Sequence, residues 1–233
     1  MVLLGAIVNG VAIILGSLLG AVFTKIPERV KQTILQAFAL SVLMMGIDMS
    51  LKSQHLLYVV ISIALGVVIG EYLNIEESFQ RWSIWLEERV GRKESDSLSK
   101  GFVTCTLIYI VGAMPIIGAL DSGLRNDHTL FYIKACIDGL MALFLTTTLG
   151  KGVLFSAIPV IIYQVILTLL ATQISYLVSS NMLDQIIQEI TGTGGILVMG
   201  IGMNMLGLIK IRVGNMLPSL VIVILLIFFR DFF

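Results

Sequence analysis

Charge is what this sequence has least of. Among 233 residues only 15 are Lys or Arg and 15 are Asp or Glu, and they cancel to a net charge of zero. No basic surface is available for a nucleic-acid backbone, so no nucleic-acid partner is expected. Cysteine is nearly absent. Cys105 and Cys136 both lie inside apolar runs, with no CxxC spacing and no histidine pair nearby. A zinc or redox site thus has almost no support, and two small buried core residues are predicted. The two histidines, His55 and His128, fall between apolar runs, where solvated side chains are the default. No HExxH and no Ser-His-Asp set is found. The stretch GTGG at 192–195 lacks the Lys-Ser/Thr of a phosphate-binding loop and leads into an apolar run. An enzyme is not expected, nor is a cofactor.

What the chain has is apolar length. Hydrophobic residues make up 57% of it, well above an ordinary soluble domain. They gather in eight segments, about 2–24, 34–51, 56–74, 101–122, 131–149, 152–178, 191–209 and 216–229. A helix needs about 20 apolar residues to cross a hydrocarbon core of about 30 Å. The fold class is therefore an all-α polytopic membrane protein of about eight transmembrane helices. The first segment has no basic n-region and is too long for a signal core, so it reads as a permanent span.

Lysine and arginine set the orientation. With the N-terminus outside, eleven fall on inner loops and four on the outer side. Positive residues favour the cytoplasmic side, which predicts a multi-pass plasma-membrane protein with both termini outside. The longest inner loop opens with IEESFQRWSIWLEERV, where Ile75, Phe79, Trp82 and Leu86 recur at helical spacing. Trp82 and Trp85 are the only tryptophans, and tryptophan settles at the headgroup level. An amphipathic helix lying along the inner surface is predicted, followed by the linker GRKESDSLSK.

One pattern occurs twice. VLMMGIDMSL at 42–51 and ILVMGIGMNML at 196–206 share Met-Gly-Ile-x-Met at a distance of 154 positions. They occupy the second and seventh segments, an odd number apart, and so cross in opposite directions. Each follows an amphipathic lead-in, ERVKQTILQAF or NMLDQIIQEI, and precedes one more apolar segment. This fits an inverted 3+2+3 repeat, as in many secondary transporters. The single transmembrane domain would then comprise a first repeat at 1–75, the inner helix and linker at 76–100, two central helices at 101–149 and an inverted second repeat at 150–233. Two glycine-bearing helices that merely pack closely would give the same pattern. Gly16 with Gly20, and Gly66 with Gly70, form GxxxG pairs of that packing kind. They also suggest a homo-oligomer.

Several stretches carry a resemblance over essentially the whole chain: GAIVNG, VGAMPIIGALDSGL, KACIDG, GVLFSAIPVIIYQ and GIGMNMLGLIKIRVGNMLP. With them the chain resembles the bacterial membrane family called domain of unknown function 554. The resemblance implies an inner-membrane protein. It implies no activity and no catalytic residues.

Polar residues at membrane depth are the remaining signal, because charges there need a partner, a cavity or water. Asp121 closes the fourth segment. Lys134 and Asp138, four apart on one face, lie in the fifth. They can form a pair that locks two helices together, or an ion or substrate contact. Asn9, Gln164 and Asn204 are neutral polar residues at depth, explained equally by interhelical hydrogen bonds. Gly112, Pro115 and Gly118 predict a break in the fourth helix. Gly194 and Gly195, in TGTGG, predict another in the seventh. The preferred reading is a transporter or channel for an ion or small solute. Asp121, Lys134, Asp138, Asn204, Asn9 and Gln164 would line its path, and the lipid bilayer and copies of the chain would be its partners. The alternative is a membrane scaffold or sensor that does not transport and acts through the inner amphipathic helix.

Overall fold

In this computed structural model, residues 2–22, 27–78, 81 and 95–232 are described. Among them every regular element is helical: α1 (Leu4–Val22), α2 (Glu28–Ser50), α3 (Leu56–Leu73), α4 (Ser95–Ile110), α5 (Ala113–Arg125), α6 (Thr129–Leu149), α7 (Gly152–Phe155), α8 (Ala157–Leu177), α9 (Ser180–Leu206), a 3-10 turn (Val213–Met216) and α10 (Pro218–Phe232). Seven spans are long and apolar enough to cross a membrane, and the α4–α5 pair, bent by 60°, makes an eighth if it counts as one. Trp82 and Trp85, and with them most of the predicted surface helix, lie outside the described residues.

The helices gather into two units interleaved along the chain. The first holds residues 1–35, 80–110 and 114–176; the second holds 36–79, 111–113 and 177–233.

In the first unit α1 lies against α6. A Cβ added to Gly5 would overlap Phe131, one on Gly16 would overlap the Gly139 carbonyl, and one on Gly20 the Leu143 carbonyl. Rising numbers on one helix meet rising numbers on the other, so α1 and α6 are parallel. Lipid offers no hydrophobic drive for helix association, so close backbone approach at small residues supplies van der Waals packing instead. The bent pair lies along α6. A Cβ on Gly101 would sit 2.9 Å from the Leu149 carbonyl, while Ser122 bonds His128 at the other end of α6. The bent pair thus touches α6 near both of its ends.

The break falls between Ile110 and Ala113, where Gly112 has φ 129°, a backbone that only glycine adopts without strain. Pro115 sits in the first turn of α5, where a missing N–H is harmless. Gly118 lies a turn further on and packs against Phe131.

In the second unit α2 and α9 are antiparallel. Gly46 meets Met199 and Gly195, Gly202 meets Leu43, and Gly192 meets Ser53. The two Met-Gly stretches therefore pack on each other. α3 and α10 are also antiparallel, with Gly66 on Ser219 and Gly70 on Asn215. The GxxxG pairs of α1 and α3 are thus taken up inside the chain, and these faces are not left over for another copy.

Two expectations need correction. α9 is uninterrupted from Ser180 to Leu206, so Gly194 and Gly195 do not break it. Its lead-in simply continues as helix, capped by Ser179, which accepts from the Met182 N–H. The glycines there admit neighbours: Gly194 meets Val111, and Gly195 meets Ser50 and Gly46. Cys136 is exposed on the surface of the chain, whereas Cys105 is buried. An apolar run places residues on every face of a helix, and lipid accepts an outward thiol as readily as a core does.

Candidate functional site

The first unit carries a buried charge cluster. Lys134 and Asp138 are one helical turn apart on α6, and Lys134 Nζ lies 2.8 Å from Asp138 Oδ2. Their side chains are only 7% and 4% exposed. Asn9 of α1 donates its Nδ2 to the same carboxylate oxygen at 3.1 Å. The parallel packing of α1 on α6 makes this possible, because Gly16 and Gly139 bring the backbones close a turn or two away. Two helices thus meet at Asp138. A pair held this tightly exchanges hydration for Coulomb attraction, and removing one partner leaves the other charge uncompensated.

The same unit also buries polar atoms with no partner in the chain. Asn9 Oδ1, both amide atoms of Gln164, and the hydroxyls of Ser17, Thr106, Thr146 and Thr168 are buried and unbonded. An unmet buried polar group costs about 1–3 kcal/mol, so this concentration is expensive. It is also distributed along the unit. Gly123 meets Thr168 near the His128 end, Gly10 meets Ile161 one turn from Gln164, and Gly20 meets Thr146 toward the Leu149 end.

The second unit handles its polar groups differently. Glu189 on α9, 1% exposed, accepts from the Ser53 hydroxyl at 2.5 Å and from the N–H groups of Gln54 and His55 at 2.9 and 3.0 Å. It thereby caps the start of α3 from another helix. Near the other end of α3, Asn215 accepts from the Glu76 N–H at 2.7 Å, and Glu76 accepts from the Gly214 N–H at 2.7 Å. Burial raises the Glu76 pKa above the usual carboxylate value, against the lowering by the Gly214 bond, Arg212 and Lys210. Asn204 closes the loop after α9 by bonding both backbone groups of Ile211 at 2.7 Å. Among the described residues of this unit, only the Thr193 hydroxyl is buried without a partner.

The sequence candidates therefore divide. Asn9, Lys134 and Asp138 meet directly, and Gln164 is buried in the same unit. Asp121 does not join them. It pairs with Arg125 at 3.4 Å at the end of α5, beside a largely exposed partner. Asn204 belongs to the other unit, where it fastens a loop. His128 is not a solvated loop residue: it is buried, with Nδ1 2.8 Å from the Ser122 hydroxyl. Sequence reading missed Glu189, because a single carboxylate in an amphipathic lead-in looks like a solvated face. It also missed Ser17, Thr106, Thr146 and Thr168, since such residues in membrane helices usually bond their own backbone. Ser62, Thr191 and Ser219 do so here.

A family model described as protein of unknown function (DUF554) matches residues 4–228. The chain belongs to this family. Its relatives include the uncharacterized membrane protein YdfK of Bacillus subtilis (strain 168), 28% identical over 229 residues that cover 96% of this chain and 95% of that protein. They also include the uncharacterized protein YqgA of Escherichia coli (strain K12), 27% identical over 224 residues, 94% of each. No solved structure matches. Family membership and the apolar spans together make this a membrane protein.

Proposed function

We propose that the protein is an inner-membrane transporter or channel for an ion or small solute, with its path through the first unit. The observation that carries this reading is the set of unpartnered polar atoms on α1, α4, α6 and α8, buried in the same unit as the Lys134–Asp138 pair. A scaffold has no use for such atoms and would lose stability to them. A path needs them, because a passing solute exchanges its hydration for exactly such groups. The inverted repeat belongs to this reading. It is supported by the antiparallel packing of α2 on α9 through the two Met-Gly stretches, and of α3 on α10. Both termini outside follows from the Lys/Arg bias and an even number of crossings.

The test is flux into proteoliposomes with a panel of K⁺, Na⁺, Cl⁻, urea, glycerol and glycine. Wild-type protein is expected to carry at least one of them above empty vesicles. Asp138→Asn keeps the shape and the Asn9 contact and is expected to lose at least tenfold of that flux. Full flux in a folded Asp138→Asn protein would remove Asp138 from the path, and silence across the panel would end the transport reading.

A further inference from the structure

The charge balance of the cluster says what kind of species it can pass. We infer that the path takes a small solute with no net charge, carrying both hydrogen-bond donors and acceptors, and not a bare ion. This rests on the transport reading and specifies its substrate class.

The first argument is electrostatic. Asp138 is already matched by Lys134 at 2.8 Å, with Asn9 on the same oxygen. The site is neutral as a whole. A cation drawn to Asp138 would have to displace Lys134 and leave an ammonium uncompensated at membrane depth. An anion drawn to Lys134 would strand the carboxylate in the same way. In a poorly solvated interior either outcome is strongly unfavourable. A solute without net charge disturbs neither partner. A zwitterion can do more, since its own two charges can answer both.

The second argument is the chemistry of the unpartnered atoms. A cation filter is built from oxygens alone, and an anion path from donors. Here the unmet groups are mixed. Gln164 offers a donor and an acceptor, Asn9 an acceptor, and the hydroxyls of Ser17, Thr106, Thr146 and Thr168 can serve as either. Such a set suits hydroxyl, amide and urea-like groups, which also present both.

The third is placement. These atoms are not confined to one layer. Thr168 lies toward the His128 end, Asn9 is bonded to the ion pair, Gln164 is one turn from the Ile161 that meets Gly10, and Thr146 lies toward the Leu149 end. Each α-helical turn advances about 5 Å, so groups a turn apart are spaced as a small solute would need to move between them.

The proteoliposome panel separates this inference from the reading beneath it. The expected result is entry of urea, glycerol or glycine at least tenfold above empty vesicles, with no K⁺, Na⁺ or Cl⁻ flux. Ion flux without solute flux overturns the substrate class and leaves transport standing. Silence for every probe overturns both. Gln164→Leu provides a second reading should Asp138 variants fail to fold, since it removes no existing bond. It is expected to slow the solute that passes by at least tenfold, and unchanged entry in the folded variant overturns the role of the mixed donor–acceptor path.

Discussion

The two units bury polar groups in opposite ways. In the second, a carboxylate or amide reaches across to a backbone N–H or C=O and fastens a loop or a helix end: Glu189 to Gln54 and His55, Asn215 to Glu76, Asn204 to Ile211. In the first, one ion pair is satisfied and a set of buried amide and hydroxyl atoms is not. Both units use the same alphabet of Asn, Gln, Ser, Thr and one or two buried charges. What differs is whether backbone groups lie within reach. Helix ends and loops expose unmet N–H and C=O groups, and the second unit places its polar residues there. The first unit places them mid-helix, where the backbone is already bonded to itself. The second unit's arrangement gives rigidity, and the first unit's leaves polar groups unbonded.

This contrast can be broken most sharply at its charges. Lys134→Met strands the Asp138 carboxylate and is expected to cost about 3–5 kcal/mol, read as thermal unfolding of purified protein. Adding Asp138→Leu should restore most of that stability, because the partner's charge goes too. Glu189→Leu is expected to cost about 3 kcal/mol or more, since three donors lose their acceptor. Here no second substitution can rescue, because two of the donors are backbone. A rescued Glu189→Leu, or an unrescued Lys134→Met, would erase the distinction between the units.

A smaller effect sharpens it. Gln164→Leu removes two unmet polar atoms from the first unit and is expected to leave stability unchanged or raise it by about 1–2 kcal/mol. Asn204→Leu removes two made bonds from the second and is expected to lower stability by about 2 kcal/mol. Equal losses at the two sites would show that Gln164 is bonded after all.

The smallest effect depends on pH. The Glu76 pKa is raised in the fold, chiefly by burial. Its contribution to stability is therefore fully present below its unfolded value and is lost as pH rises through the folded one. Glu76→Gln keeps an acceptor for the Gly214 N–H but cannot ionise. It should flatten that decline in thermal stability above the ordinary carboxylate range. A pH profile identical to wild type would assign the slope to other groups.

Much of this was legible in the residues. Long apolar runs cannot remain in water and cannot leave backbone groups unbonded in lipid, so helical spans followed from composition and length alone. The break at Gly112 was readable because glycine and proline alter the backbone locally. Lys134 and Asp138 could be paired because they sit one turn apart on a single helix. Asn9 as their third member could not be read, because it lies 129 positions from Asp138. That contact arises only because glycines on α1 and α6 let two parallel helices touch. The same holds for TGTGG. As a sequence it reads as a breaker, yet in α9 it is continuous helix, because its glycines make room for neighbouring backbone. Sequence by itself determined that the chain forms apolar helices long enough to span a membrane and that Lys134 and Asp138 sit one turn apart on one of them, since both depend on local composition and spacing. Only the tertiary structure decided which polar residues meet, which fasten a loop and which are left unmet, because that depends on how distant helices approach.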